Sequence, residues 1–136
     1  MNRRRNLSFK KQWIGKKANQ KSLKRYCYEI WSELIRCRDD YCCFYCKSKE
    51  NLTAHHLITK KWNTTCFNIN NGVTLCKGCH TTNITSAHLS PWILEEKLKL
   101  YKKEQYNWFI ENRKLISNFN KNNIEDNYTK DRKSVV

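Results

Sequence analysis

Seven residues carry most of the chemistry this chain can do, and six of them fall into three short spacings. Cys43-x-x-Cys46 in "CFYC" and Cys76-x-x-Cys79 in "CKGC" each let two thiolates of one turn face the same ion. Two such knuckles complete a tetrahedral Zn²⁺ shell, and a closed four-thiolate shell is structural rather than catalytic. Cys42 could stand in for Cys43, but the two-residue gap to Cys46 favours Cys43. Between the knuckles, "LTAHHLITKK" sets His55 beside His56 in a stretch that reads as a strand, where neighbouring side chains point to opposite faces. His80 directly follows the last knuckle cysteine, so it can face one of that pair. Two neutral imidazoles there could hold a divalent ion and leave its other positions to water and substrate. The remaining histidine would then be free as a general base near neutral pH.

These residues need elements to hold them. Leu23, Cys27, Ile30, Trp31 and Leu34 recur at helical spacing between Ser22 and Arg38, predicting an amphipathic lead-in helix packed on the segments after it. Cys27 and Cys37 are expected to be buried thiols on or near that stripe, and Cys66 a loop residue with no partner. "RDDYCCFYCKSKEN" reads as a turn-rich knuckle. Short strands are expected over Leu52 to Leu57 and Gly72 to Cys76, joined by a loop. From Cys76 the chain should turn into a helix, and Ser90-Pro91 marks another helix start, with Ser90 as N-cap. A phase break near Lys102 to Gln105 predicts one kinked helix or two. The resulting fold class is small α+β, with residues 22–117 as one domain between a basic arm (1–21) and a polar tail (118–136) expected to fray.

Charge names the first partner to consider. The 136 residues hold 27 Lys plus Arg against 12 Asp plus Glu, a formal net charge of +15, and such a field attracts polyanions. From Met1 to Tyr28 the chain has basic residues and no acidic one, so the arm reads as a DNA contact surface rather than a solvated mixed face. Arg3, Arg4, Arg5, Lys10, Lys11, Lys16 and Lys17 could track a duplex. Lys60, Lys61 and Lys77 lie closer to the histidines and could contact flanking phosphates, positioning DNA without reading its sequence. Apolar runs too short to span a bilayer, and no signal-type segment, predict a soluble intracellular protein with no membrane partner. Eight cysteines in such a chain point to metal binding rather than disulfides.

In combination, "CFYC", "AHHL", "NGVTLC" and "CKGCH" resemble the HNH endonuclease family, the ββα-metal nucleases, over roughly residues 30 to 95. "WSELIRCRDDYCCFYC" is similar to the lead-in of phage and prophage members, which implies a phage-borne protein acting in a bacterial cytoplasm. The resemblance implies a ββα-metal finger stapled by zinc and flanked by amphipathic helices. It makes His55 and His80 ligands of a catalytic divalent ion (Mg²⁺, Mn²⁺ or another transition metal) and His56 the general base. Asn71, otherwise a turn signal before Gly72 with Asn70 its competitor, would brace the loop. The family commonly has Asp where His55 stands, and this departure removes a negative charge from the ion's surroundings. The implied activity is hydrolysis of DNA to 3′-hydroxyl and 5′-phosphate ends, by a homing-type or nicking enzyme. The alternatives are a branched-DNA recombination endonuclease and a non-catalytic zinc-stapled nucleic-acid-binding module. Monomer and homodimer both remain open. His88, beyond the motif, is expected at a helix end or a phosphate.

Overall fold

The computed structural model describes the backbone of residues 20–133 and the side chains of residues 22–122. Arg3, Arg4, Arg5, Lys10, Lys11, Lys16 and Lys17 therefore lie outside the described residues. Helix α1 (Gln20–Arg38) leads through the first knuckle into strand β1 (Leu52–His56). A loop and a single 3-10 turn (Ile69–Asn71) precede strand β2 (Gly72–Cys76). The chain closes with α2 (Pro91–Tyr101) and α3 (Lys103–Lys133). The sheet has two antiparallel strands, with Leu52 opposite Cys76 and His56 opposite Gly72, giving a small α+β architecture. No helix among the described residues is long and apolar enough to cross a membrane.

The core is small. Val73, Leu75, Ala87, Leu94 and Leu98 bury against Cys43 and Cys79, so the thiol cluster is part of the apolar centre rather than an appendage to it. On the other side of β2, Trp31 and Ile35 of α1 cover the sheet. Gly72 permits that approach: a Cβ there would lie 2.5 Å from Trp31 Cζ2 and 2.8 Å from Ile35 Cγ1, far inside contact distance. Polar bonds lock the segment entering β2. Trp31 Nε1 donates to the Asn68 carbonyl (2.9 Å). Arg38 donates to Ile69 O (2.6 Å) and Gly72 O (2.7 Å), and Gln105 Nε2 to Asn70 O (2.9 Å) and Gly72 O (2.7 Å). Asp39, its side chain almost fully covered, accepts from the Thr74 amide, Arg38 and Lys102. Burial opposes its charge, but these donors outweigh burial and hold the carboxyl below the usual range.

Several expectations change. Of the expected apolar stripe of α1, Trp31 is buried, joined by Ile35, while Leu23, Ile30 and Leu34 are exposed. Cys27 is only half-buried and Cys37 exposed, so neither is a core thiol. Helical spacing identifies two apolar rows on α1, but not which one the sheet takes. After Cys76 there is only a π-type turn (Gly78–Thr82), because the Asn83 and Ser86 amides fold back to Gly78 O and Asn83 O instead of extending a helix. Pro91 opens α2 with Ser90 at the N-cap position, but the Ser90 side chain makes no capping bond; its hydroxyl donates to Ile84 O (2.8 Å). The phase break resolves into two helices at Lys102, whose backbone leaves the helical region (φ −137°, ψ 59°). Helix α3 continues to Lys133 through the stretch expected to fray, since extending an existing helix needs no new nucleus.

Candidate functional site

The sulfurs of Cys43, Cys46, Cys76 and Cys79 lie within 4.8 Å of one another, and Cys46 Sγ is 3.6 Å from Cys76 Sγ. A tetrahedral Zn²⁺ with bonds of about 2.3 Å needs S···S edges of about 3.8 Å, close to the 3.6 Å between Cys46 and Cys76, so the quartet could hold such an ion. Lys47 makes the first knuckle possible: its φ of 64° turns the chain back, and its amide donates to Cys43 O (2.9 Å). Burial works against a Cys43 thiolate, but the amides of Cys46, Cys76 and Tyr45 overcome it and bring the thiol down to about 7. Cys79 is pushed up, first by burial and then by the other three sulfurs; a shared cation is what relieves that crowding. Cys42 points elsewhere, its sulfur donating to Asp40 O (3.4 Å), which leaves Cys43 as the member of the quartet.

Strand alternation separates the adjacent histidines. His55 turns toward His80 and His88, with ring centroids 5.1 and 5.0 Å away. The ligand nitrogens of these three lie within 4.8 Å, and His80 Nε2 is 3.0 Å from His88 Nε2. A first-row metal with bonds of roughly 2.1 Å spans nitrogens about 3 Å apart, so three imidazoles can face one ion here. Sequence reasoning misses His88 as a ligand because it has no motif spacing. It arrives by tertiary means: the Ala87 and His88 amides bond Cys79 O (2.9 Å) and His80 O (3.2 Å), laying the returning chain over the second knuckle. Thr53 is missed too, although its place two residues before His55 puts both on one strand face. Its hydroxyl donates to Leu75 O (3.2 Å), so its oxygen accepts from His80 Nδ1 (2.9 Å). That fixes the His80 tautomer with the lone pair on Nε2, toward the cluster.

On the opposite face, His56 stacks on the Trp31 indole (centroids 3.9 Å apart, planes 14° apart), with the Tyr28 ring edge-on at 5.9 Å. His56 Nε2 lies 2.9 Å from the Cys66 carbonyl. A carbonyl only accepts, so Nε2 carries the hydrogen and Nδ1 keeps the lone pair that can take a proton. Asn71, fully buried, holds the loop that supplies this carbonyl: its oxygen accepts from the Ile58 amide (2.6 Å), and its Nδ2 donates to Ile58 O and Thr65 O (both 3.0 Å). Asn70 is half-buried, and its amide is taken by the Asn68 side chain. Cys66, expected to be unpartnered, is buried, and its sulfur donates to the Tyr28 phenol oxygen at 3.1 Å.

Burial lowers the imidazoles of His55, His56 and His80. His55 falls to about 3 through burial, then the neighbouring charges of His80, His88 and His56. His80 is lowered by burial and then His88; His56 is lowered by burial and by Lys60, with the Cys66 carbonyl opposing. All three are therefore neutral at pH 7, the form that binds metal or accepts a proton. His55, His56, His80, His88 and Lys60 line one open cleft of about 540 Å³. Lys61 and Lys77 are exposed but do not line it. The chain matches no protein-family model, no curated protein and no solved structure.

Proposed function

We propose that the chain is a metal-dependent DNA endonuclease of the HNH type, a ββα-metal finger whose helical arm is shortened to the Gly78–Thr82 turn. The observation that carries this reading is the split of His55 and His56 to opposite strand faces that still border one cleft. His55, His80 and His88 would hold a divalent ion, three ligands where the motif alone supplied two. Such an ion supplies Lewis-acid stabilisation to a phosphoryl oxygen and to the departing 3′ oxygen. His56 would take the proton of the attacking water at Nδ1, with Trp31 and the Cys66 carbonyl holding the ring. Asn71 would act through that carbonyl as a positioning residue. Lys60 borders the cleft and would bind a flanking phosphate, and the net charge of +15 would draw the duplex in.

His56→Ala tests the reading. Cleavage of plasmid DNA in Mg²⁺, Mn²⁺ or Ni²⁺ should fall by about 10²–10⁴-fold, the usual contribution of a positioned base, while bound zinc and DNA affinity stay unchanged. Undiminished cleavage would remove His56 from the chemistry. A wild-type protein that binds DNA but cleaves neither linear, nicked nor four-way substrates with any of these ions would instead be a zinc-stapled binding module.

A further inference from the structure

Every donor this chain brings to the proposed ion is an imidazole. The ligand nitrogens of His55, His80 and His88 lie within 4.8 Å of one another, and among the described residues no carboxylate joins that group. None of the residues lining the cleft in front of it is acidic; its ionisable side chains are histidines and Lys60. Glu95, which shares a neighbouring cavity with His55, gives both carboxylate oxygens to Arg113 (3.1 Å each). On the strand face of His55, Thr53 supplies a hydroxyl, but its oxygen is taken by His80 Nδ1 (2.9 Å).

Ligating imidazoles are neutral, borderline-soft donors that suit Co²⁺, Ni²⁺, Cu²⁺ and Zn²⁺, whereas Mg²⁺ and Ca²⁺ hold to oxygen and usually need a carboxylate. We propose that this cluster selects a late first-row transition metal and rejects Mg²⁺ and Ca²⁺. The inference rests on reading the cluster as an ion site. Charge gives the selection a purpose. Three neutral ligands leave the ion's two positive charges uncancelled, and Lys60 adds another beside them, so the open positions favour an anionic oxygen such as that of a phosphodiester. The cysteine quartet does the reverse, since four thiolates around Zn²⁺ leave a net charge of about −2 that repels the same group. The chain thus carries two ions of one chemical class in opposite electrostatic settings, and only the imidazole-bound one can meet phosphate.

Titration of the full chain, its quartet filled with zinc, reads the selectivity without reference to cleavage. Calorimetry should show one Ni²⁺ per chain bound about 100-fold tighter than Mn²⁺, with Co²⁺ between them, the order that nitrogen sites follow. Mg²⁺ or Ca²⁺ at about 10 mM should give no binding heat and should not displace Ni²⁺. Co²⁺ locates the site: on imidazoles it adds visible ligand-field bands without thiolate-to-metal absorption in the near ultraviolet, and His80→Ala should lose those bands while keeping its zinc. His55→Asp restores a carboxylate to the cluster and should gain the Mg²⁺ binding that the wild type lacks. A folded His55→Asp protein that still excludes Mg²⁺ would separate the selectivity from the ligand set and overturn the inference; the wild-type titrations stand whether or not that variant folds. Mg²⁺ bound by the wild type as tightly as Ni²⁺ overturns the inference and leaves the endonuclease reading standing. A cluster that takes up none of these ions, or Co²⁺ that enters only the thiolates, overturns it and removes the ion from the proposed function as well.

Discussion

Four thiols and three imidazoles are each gathered within 4.8 Å, yet the two clusters are built in opposite ways. The cysteines come from two turns of the same design, two of them buried, and the core residues Val73, Leu75 and Leu98 pack around them. The histidines come from a strand, a turn and a returning loop, with His88 exposed and an open cleft in front. A closed shell inside a small core suits an ion that holds the fold together, whereas an open set on a rim leaves coordination positions for other groups. The two clusters meet at the second knuckle, where Cys79 and His80 are neighbours in the chain, so the first site is the platform for the second.

The largest expected effect breaks the platform. Cys43→Ser should abolish cooperative folding and tight zinc, since a structural zinc site contributes about 10–16 kcal/mol against a domain stability of about 5–15 kcal/mol. Thermal unfolding with zinc analysis checks it, and a folded, zinc-free Cys43→Ser protein would dissolve the distinction between the sites. His88→Ala should do the reverse. Its side chain is exposed, so unfolding and zinc content should stay put while affinity for Mn²⁺ or Ni²⁺ at the histidine cluster falls on the order of 10–100-fold, read by calorimetric titration.

Acidity offers a finer separation. The folded value of His55, about 3, lies below the unfolded value near 6.5, so the unfolded chain takes up the proton first as pH falls. Stability from a neutral His55 is complete above pH 6.5 and is lost progressively toward pH 3. Between pH 6.5 and 5, without added divalent ion, the wild type should lose roughly 2 kcal/mol more than His55→Asn in urea unfolding. The cysteine quartet is common to both proteins and its contribution cancels; equal losses would show that His55 is not buried neutral.

A last test lies at the joint between α1 and the sheet. Gly72→Ala forces a methyl onto Trp31 and Ile35 and should cost about 1–3 kcal/mol. Because Trp31 supports His56, cleavage should fall as well, while zinc content should not change. A variant as stable and as active as the wild type would show that the Trp31 stack does not need this close approach.

Much of this arrangement is legible in the residues themselves. The two C-x-x-C knuckles announce a thiol quartet because metal-ligand spacing within a turn is local, and alternation along a strand suffices to send His55 and His56 apart. The β2 boundaries, Pro91 at the start of α2 and the break near Lys102 are likewise local signals. Tertiary structure decided what no spacing encodes. It brought His88 over His80 through backbone bonds to Cys79 and His80, and set the His80 tautomer through Thr53. It aimed His56 through the Cys66 carbonyl, on a loop that Asn71 ties down at the neighbouring Thr65 O. It also chose which apolar row of α1 the sheet would cover, leaving Leu23, Ile30 and Leu34 outside. Periodicity states that a helix has an apolar face; only the shape of the opposing surface, here the missing Cβ of Gly72 that admits Trp31, determines which face is buried.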